Sequence, residues 1–576
     1  MLPYINAPFE YVGGALGTSA DELKLVTSFY LSYPLAALLK RIPDKEPWKK
    51  NVFLLTVSMF YLVGLFDMWA GLRTFIISAG GAYLISSRIN SPYMPWIGFV
   101  FLMGHMSMNH IIRQNVNDPG TVDITGAQMV LVMKLTAFCW NIQDGRLPEA
   151  DLTDFQKEHA IRTMPSLLDY AGYVFFFPAL MAGPAFDYCD YSDYITTTMF
   201  TLPPGTDPSK APPTRKKRKI PRSGFPAAMK GVFGTLWIVA FLQLSAYYPA
   251  SFYLGSEYMN YGFLRRVWQL YMFGLVTRMK YYGVWSLSEG ACILCGIGYN
   301  GIDAKTGRAK WDRLTNIMPW EIETAQNARA YLGFWNINTN NWLRNYIYLR
   351  VTPKGKKPGF RATLATFVTS AFWHGFYPGY YLTFVLAALV QTAAKNGRRL
   401  IRPLFLTPDG KNPLPSKRFY DIATTVITQV IFAYTVAPFV LLGFSDTLKV
   451  WSRVYFYTLI SLAASFAVFS RNLPIRKQLV QLQASRAPAS AGTVDESTIE
   501  KAAREQIRLA RTTSQESVAS SRKMPLHGLP DDPEAEIDEI VREVKAEIEL
   551  RRRRGSVSFD VKKAVQEKLK QFQSKT

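Results

Sequence analysis

Only four cysteines occur in 576 residues, which excludes a fold held together by a disulfide framework. Charge is scarce as well: Asp, Glu, Lys and Arg make up 19% of the chain, against roughly 25% in soluble domains. No Gly/Ser- or Pro-rich linker divides the chain before residue 200, although the length alone would suggest roughly three or four soluble domains. The opening MLPYINAPFEYVGG has no basic start, short apolar run or small-residue cleavage site, so membrane insertion is expected to use the early apolar segments themselves. No P-loop, dinucleotide-binding glycine pattern, HExxH pair or GxSxG with its partners occurs, which leaves nucleotide hydrolysis and serine-hydrolase chemistry unsupported.

What is abundant is aromatic side chain, 14% of the residues with 13 Trp, 31 Tyr and 37 Phe, and so much aromatic surface must be buried in a core or placed in lipid. The mean hydropathy of +0.01 hides two unlike parts. Residues 471–576 carry 21 basic and 16 acidic residues, with Phe559 and Phe572 the only aromatics. Residues 1–470 are poor in charge yet hold most of the net +23. The expected organisation is therefore a membrane-embedded all-α domain, 1–470, and a charged cytosolic tail, 471–576.

Long apolar stretches recur near residues 23–39, 52–66, 69–87, 95–112, 127–142, 166–186, 228–254, 264–299, 361–393, 421–444 and 451–470. Those approaching 20 residues are long enough to cross about 30 Å of hydrocarbon. They predict about eleven transmembrane or re-entrant segments. Two basic loops, Lys40 to Lys50 and Lys210 to Arg222, point to the cytosolic side, because short Lys- and Arg-rich loops stay there. For Arg215 to Lys219, between two spans, topology is a better reading than nucleic-acid binding. In the tail, Ile537, Ile540, Val541, Val544 and Ile548, then Val561, Val565, Leu569 and Phe572, have the spacing of two amphipathic helices. Between them RRRRGSVS reads as a solvated charge run, with a kinase site or lipid-headgroup contact as alternatives.

Ionisable residues inside apolar runs are costly and are functional candidates for that reason. His374 stands alone in ATFVTSAFWHGFYPGYYLTFVLAALV, and a neutral imidazole there suits a general base if a hydrogen-bonding partner supports it. The alternative is a histidine that only ties helices together. Upstream, FWNINTNNWLRNYIYLRV carries Asn336, Asn338, Asn340, Asn341 and Asn345 among aromatics, followed by Arg344 and Arg350. Asn offers a donor and an acceptor without charge, which suits holding a carbonyl in a dry cavity, though interhelical hydrogen bonding accounts for most of the five. Arg278 and Lys280 are candidate phosphate contacts or interfacial anchors, and Lys134 is expected to pair with Asp169, Asp187 or Asp190. Cys292 and Cys295 read as buried thiols, and His105 and His110, five apart, lack the spacing of a zinc helix.

WHGFYPGYY, preceded by WNINTNNWLRNYIYLRV, resembles the membrane-bound O-acyltransferase family, and within it the fungal lysophospholipid acyltransferases of the endoplasmic reticulum. GAQMVLVMKL, LLDYAGYVFFFPALMAGPAFDY, RMKYYGVWSLSEG and WEIETAQNARAYLGFWN extend the likeness through most of residues 20–470. It implies a bundle of about eleven helices around a central tunnel in the endoplasmic reticulum membrane. It further implies acyl transfer from acyl-CoA, as co-substrate without other cofactor or metal, to the sn-2 hydroxyl of a lysophospholipid. Lysophosphatidylcholine, -ethanolamine, -serine, -inositol and lysophosphatidic acid are all admissible acceptors. His374 takes the family's histidine position and Asn336 its asparagine, with Asn338 two residues out of register as the alternative. Trp335, Trp373, Asn338, Arg344, Lys280 and Arg278 are the expected substrate contacts. Other acceptors, a sterol, a diacylglycerol or a protein, remain open, and a transporter with a midplane His and Asn is the reading from outside the enzyme class. No internal repeat supports that last reading.

Overall fold

The computed structural model describes residues 3–116, 122–202, 212–215, 218–303, 306–352, 360–407, 412–469 and 474–485; the two expected tail helices and RRRRGSVS lie outside the described residues. Regular structure among the described residues is helical, with three isolated β-bridges in loops. Long helices span Ala20–Leu39, Trp69–Arg88, Met94–Val116, Thr125–Gly145, Gly224–Ser245, Phe263–Cys295, Pro378–Ile401 and Lys417–Leu441.

Gly224–Ser245 and Lys417–Leu441 are long and apolar enough to cross a membrane by composition alone. Two of the other long helices, Thr125–Gly145 and Phe263–Cys295, turn ionisable groups inward: Lys134, Arg278 and Glu289 are all buried. Outward, Phe225, Val232, Phe233, Leu236, Val239 and Leu242 of the Gly224–Ser245 helix are exposed, a face that water would penalise and lipid accepts. That helix packs against the 33-residue Phe263–Cys295 helix at glycines. A Cβ on Gly283 would meet the Ile238 side chain at 2.5 Å and the Gly234 carbonyl at 3.0 Å, so small residues there let two backbones approach, as in lipid-embedded helix pairs.

Several apolar stretches that read as single spans are broken. The 166–186 stretch forms a helix only over Leu167–Val174, then a 3-10 turn, Phe177–Ala179; Pro178, Gly183 and Pro184 deny it a continuous hydrogen-bond ladder. The 361–393 stretch splits into Phe360–His374 and Pro378–Ile401. The 451–470 stretch is interrupted by Tyr455 and Phe456, both at positive φ, and resumes as Tyr457–Val468.

The buried charges are arranged differently from the expectation. Lys134 pairs with none of the three aspartates: its Nζ donates to the Tyr173 carbonyl at 2.6 Å and lies 4.3 and 4.4 Å from the Tyr173 and Phe186 ring centroids. Asp169 instead accepts from Asn51, Asp187 from Tyr346 and Asp190 from Arg313. The broken 166–186 segment supplies that carbonyl because its chain is not helical throughout, and a backbone oxygen with two flanking rings solvates the ammonium where a carboxylate would itself need desolvation.

The two basic loops meet. Lys40 Nζ donates to Ser223 Oγ at 2.8 Å, Arg218 to the Arg41 carbonyl at 2.7 Å, and the Lys219 amide to Asp44 at 3.0 Å. They therefore lie on one side of the bundle.

Candidate active site

His374 is the last residue of the Phe360–His374 helix. The helix stops there because Gly375 turns to φ +120°, a conformation only glycine adopts without strain, and Pro378 then opens the next helix. Four rings enclose the imidazole: Trp373 at 4.7 Å, Phe439 at 5.0 Å, Phe384 at 5.1 Å and Tyr380 at 5.6 Å between centroids. His374, Tyr380, Phe384 and Phe439 are nonetheless only half-buried. The expected hydrogen-bonding partner is missing among the described residues, so ring packing orients the imidazole.

Asn336 caps the Ile337–Leu343 helix in a left-handed conformation, φ +46° and ψ 56°, which Asn tolerates better than most residues. Its Oδ1 accepts from Thr339 Oγ1 at 2.9 Å. With the acceptor end occupied, the amide Nδ2 is left without a partner among the described residues, and the residue is half-buried. Asn338 is spent differently. Its backbone N–H donates to Asn316 Oδ1 at 3.1 Å and its Nδ2 to the Leu314 carbonyl at 3.4 Å. Asn340 Nδ2 is shared between the carbonyls of Leu332 and Trp335, both at 2.9 Å.

The two stretches share a wall that sequence inspection did not single out. One face of the Thr125–Gly145 helix receives the Trp373 indole on the Met129 carbonyl at 3.0 Å, Thr339 on Met133 Sδ at 3.3 Å, and the Trp342 indole on Thr136 Oγ1 at 2.8 Å. Residues 129 and 133 are one turn apart, about 6 Å along the axis. The neighbours of His374 and of Asn336 are thus docked one helical turn from each other. Trp342 and Trp373 close the contact at 6.1 Å. The i, i+4, i+7 spacing of Met129, Met133 and Thr136 was the available signal, but it reads as ordinary core.

Trp335, half-buried, packs on Tyr281 at 5.5 Å and Trp285 at 5.3 Å. Of the expected phosphate contacts, Arg278 is buried and bidentate to Glu323 at 2.8 Å for both bonds, and Tyr282 donates to the same carboxylate at 2.6 Å. Lys280 is largely exposed, 3.6 Å from Glu22. Arg350 grips Asp144 through two bonds, the longer 2.7 Å, and stacks 4.5 Å from Trp140. Arg344 is half-buried and pairs with no carboxylate among the described residues. Of these cations it is the one whose charge is not already matched by a carboxylate.

Residues 117–437 match the membrane-bound O-acyltransferase family. The chain is 45% identical over 475 residues to a lysophospholipid acyltransferase of Schizosaccharomyces pombe, covering 82% of this chain and 91% of that one. It is also 45% identical over 480 residues to a lysophospholipid acyltransferase of Saccharomyces cerevisiae, covering 82% and 77%. Membrane-bound glycerophospholipid O-acyltransferase 2 of Homo sapiens is 31% identical over 405 residues, 70% of this chain and 75% of that one. With WHG and the asparagine stretch docked on one buried wall inside the matched segment, the chain belongs to the membrane-bound O-acyltransferase family.

Proposed function

We propose that this protein transfers a fatty acyl group from acyl-CoA to the free sn-2 hydroxyl of a lysophospholipid, giving a diacyl phospholipid and free CoA. The observation that carries the reading is the half-buried, ring-enclosed His374 beside a wall that also holds the Asn336 segment; the printed names of the relatives support the substrate class. The imidazole accepts the proton of the acceptor hydroxyl as its oxygen attacks the thioester carbonyl, a step typically worth a factor of about 10² to 10⁴. Asn336 Nδ2 donates to the developing oxyanion, worth about 3 kcal/mol by analogy with other such donors. Collapse of the tetrahedral intermediate breaks the C–S bond, and the departing CoA thiolate recovers the proton from the imidazolium. No acyl-enzyme is needed.

A dry, aromatic site suits this chemistry because water beside an activated thioester would hydrolyse it. Arg344, unmatched by a carboxylate among the described residues, suits a CoA phosphate. The bundle is read as about eleven transmembrane or re-entrant helices around a tunnel in the endoplasmic reticulum membrane. The two joined basic loops and the charged tail lie on the cytosolic side, where CoA is found.

The test is release of CoA thiol from oleoyl-CoA by purified protein, with and without each member of a lysophospholipid panel. Acceptor-dependent release by the wild type and none by a folded His374→Ala protein is the expected result. Undiminished transfer by His374→Ala would overturn the mechanism, and release driven by a sterol or diacylglycerol but by no lysophospholipid would overturn the acceptor class.

A further inference from the structure

We infer that His110, on the Met94–Val116 helix, is a positioning residue for His374: it fixes the backbone on both sides of the base by a hydrogen bond to the Trp373 carbonyl and by filling the space over Gly375. The inference rests on the reading of His374 as general base.

His110 is buried, with Nε2 3.0 Å from the Trp373 oxygen. A carbonyl can only accept, so Nε2 carries the proton and donates. Trp373 belongs to the last turn of its helix, where carbonyls have no intrahelical partner, and within a lipid-embedded bundle such an oxygen needs a donor from elsewhere. The same ring covers Gly375: a Cβ there would sit 3.1 Å from Nδ1 and 3.4 Å from Cγ of His110. The imidazole thus takes the place a side chain would occupy. Phe376 meets the ring edge-on at 6.4 Å and 86°. One imidazole therefore touches the residue before His374 and the two after it.

The opposite end of Trp373 is held by the Met129 carbonyl, on the helix that packs against Met94–Val116. Backbone and indole are thus clamped by adjacent helices, and His374, whose own ring nitrogens have no protein partner among the described residues, inherits its position from that clamp. Reacting atoms misplaced by 1 Å cost on the order of 100-fold in rate. His110 lies before the matched segment, 117–437.

The experiment compares purified wild type, His110→Leu, His110→Phe, His110→Gln and His374→Ala in the acyl-CoA:lysophospholipid assay, with thermal unfolding measured on each. His110→Phe keeps a ring over Gly375 but has no donor, which separates the hydrogen bond from the packing. His110→Leu and His110→Phe should lose roughly 10- to 100-fold in kcat, with KM for acyl-CoA and lysophospholipid within about twofold and a modest fall in Tm from the unpaired Trp373 carbonyl. His110→Gln, whose amide donates to the same carbonyl, should recover most of the loss. Wild-type kcat in His110→Phe while His374→Ala is inactive would overturn the positioning role and leave the base intact. Loss of Tm in parallel with kcat, without rescue by Gln, would overturn it in favour of a purely structural histidine. Full activity in His374→Ala would remove the base reading and this inference with it.

Discussion

At the scale of single residues, side chains of one type in one stretch have separate tasks, and hydrogen bonding sorts them. Asn336 has its acceptor occupied by Thr339 and its donor end unclaimed among the described residues, whereas Asn338 and Asn340 give their amide nitrogens to backbone carbonyls. Asn336→Ala should therefore lower kcat by roughly 100-fold, matching the loss of one oxyanion donor, beyond the modest fall in Tm that an alanine at φ +46° brings. Asn338→Ala should mainly lower stability, by at most about 1 kcal/mol for the loss of a part-buried hydrogen bond. Steady-state kinetics beside thermal unfolding separates the two, and the reverse pattern would move the oxyanion role to Asn338. The sequence singled out both residues, but their division of labour depends on partners 22 and 24 residues away, Asn316 and Leu314.

Between elements, one largely buried ion pair joins two helices. Arg278 on the Phe263–Cys295 helix and Glu323 on Pro319–Glu323 form a two-bond pair, with Tyr282 on the same carboxylate. Side-chain exposure is 3% for Arg278 and 18% for Glu323. Removing one partner from such a pair strands a charge, at about 3 to 5 kcal/mol. Glu323→Ala should accordingly destabilise the purified protein, while Arg278→Met combined with Glu323→Leu should recover a good part of the loss. KM for acyl-CoA should stay near wild type in the double variant. A large rise in that KM with Tm restored would instead return Arg278 to the role of a phosphate contact. RMKYYGVWSLSEG shows two cations two residues apart; which of them the Glu323 carboxylate grips is decided by a helix some 40 residues further on.

For the whole molecule, the basic loops give a prediction about orientation. Lys45 and Arg218 belong to loops that touch through Asp44 and Arg41, so Lys45→Cys and Arg218→Cys in a cysteine-free background should be labelled from the same side of sealed microsomes. By the positive-inside tendency that side is the cytosolic one. Labelling of the two from opposite sides would break the arrangement, and labelling of both from the lumen would invert it.

Helical class, membrane embedding and the family to which the chain belongs were legible in the residues, because apolar length, aromatic content and the WHG and asparagine stretches are local properties. The break after His374 is written into the chain by Gly375 and Pro378, although 361–393 read as one apolar stretch. The interruption of 166–186 was obscured because an apolar run reads alike whether or not it is helical. Residues far apart in sequence decided the rest. Lys134 rests on a backbone carbonyl and two rings, a solution no charge pattern reveals. Met129, Met133 and Thr136 form a common wall for two distant stretches, and His110 reaches Trp373 across 263 residues. Composition and periodicity determine which segments leave water; which polar group satisfies which is settled only when helices pack, because in lipid every buried donor and acceptor must find its partner inside the protein.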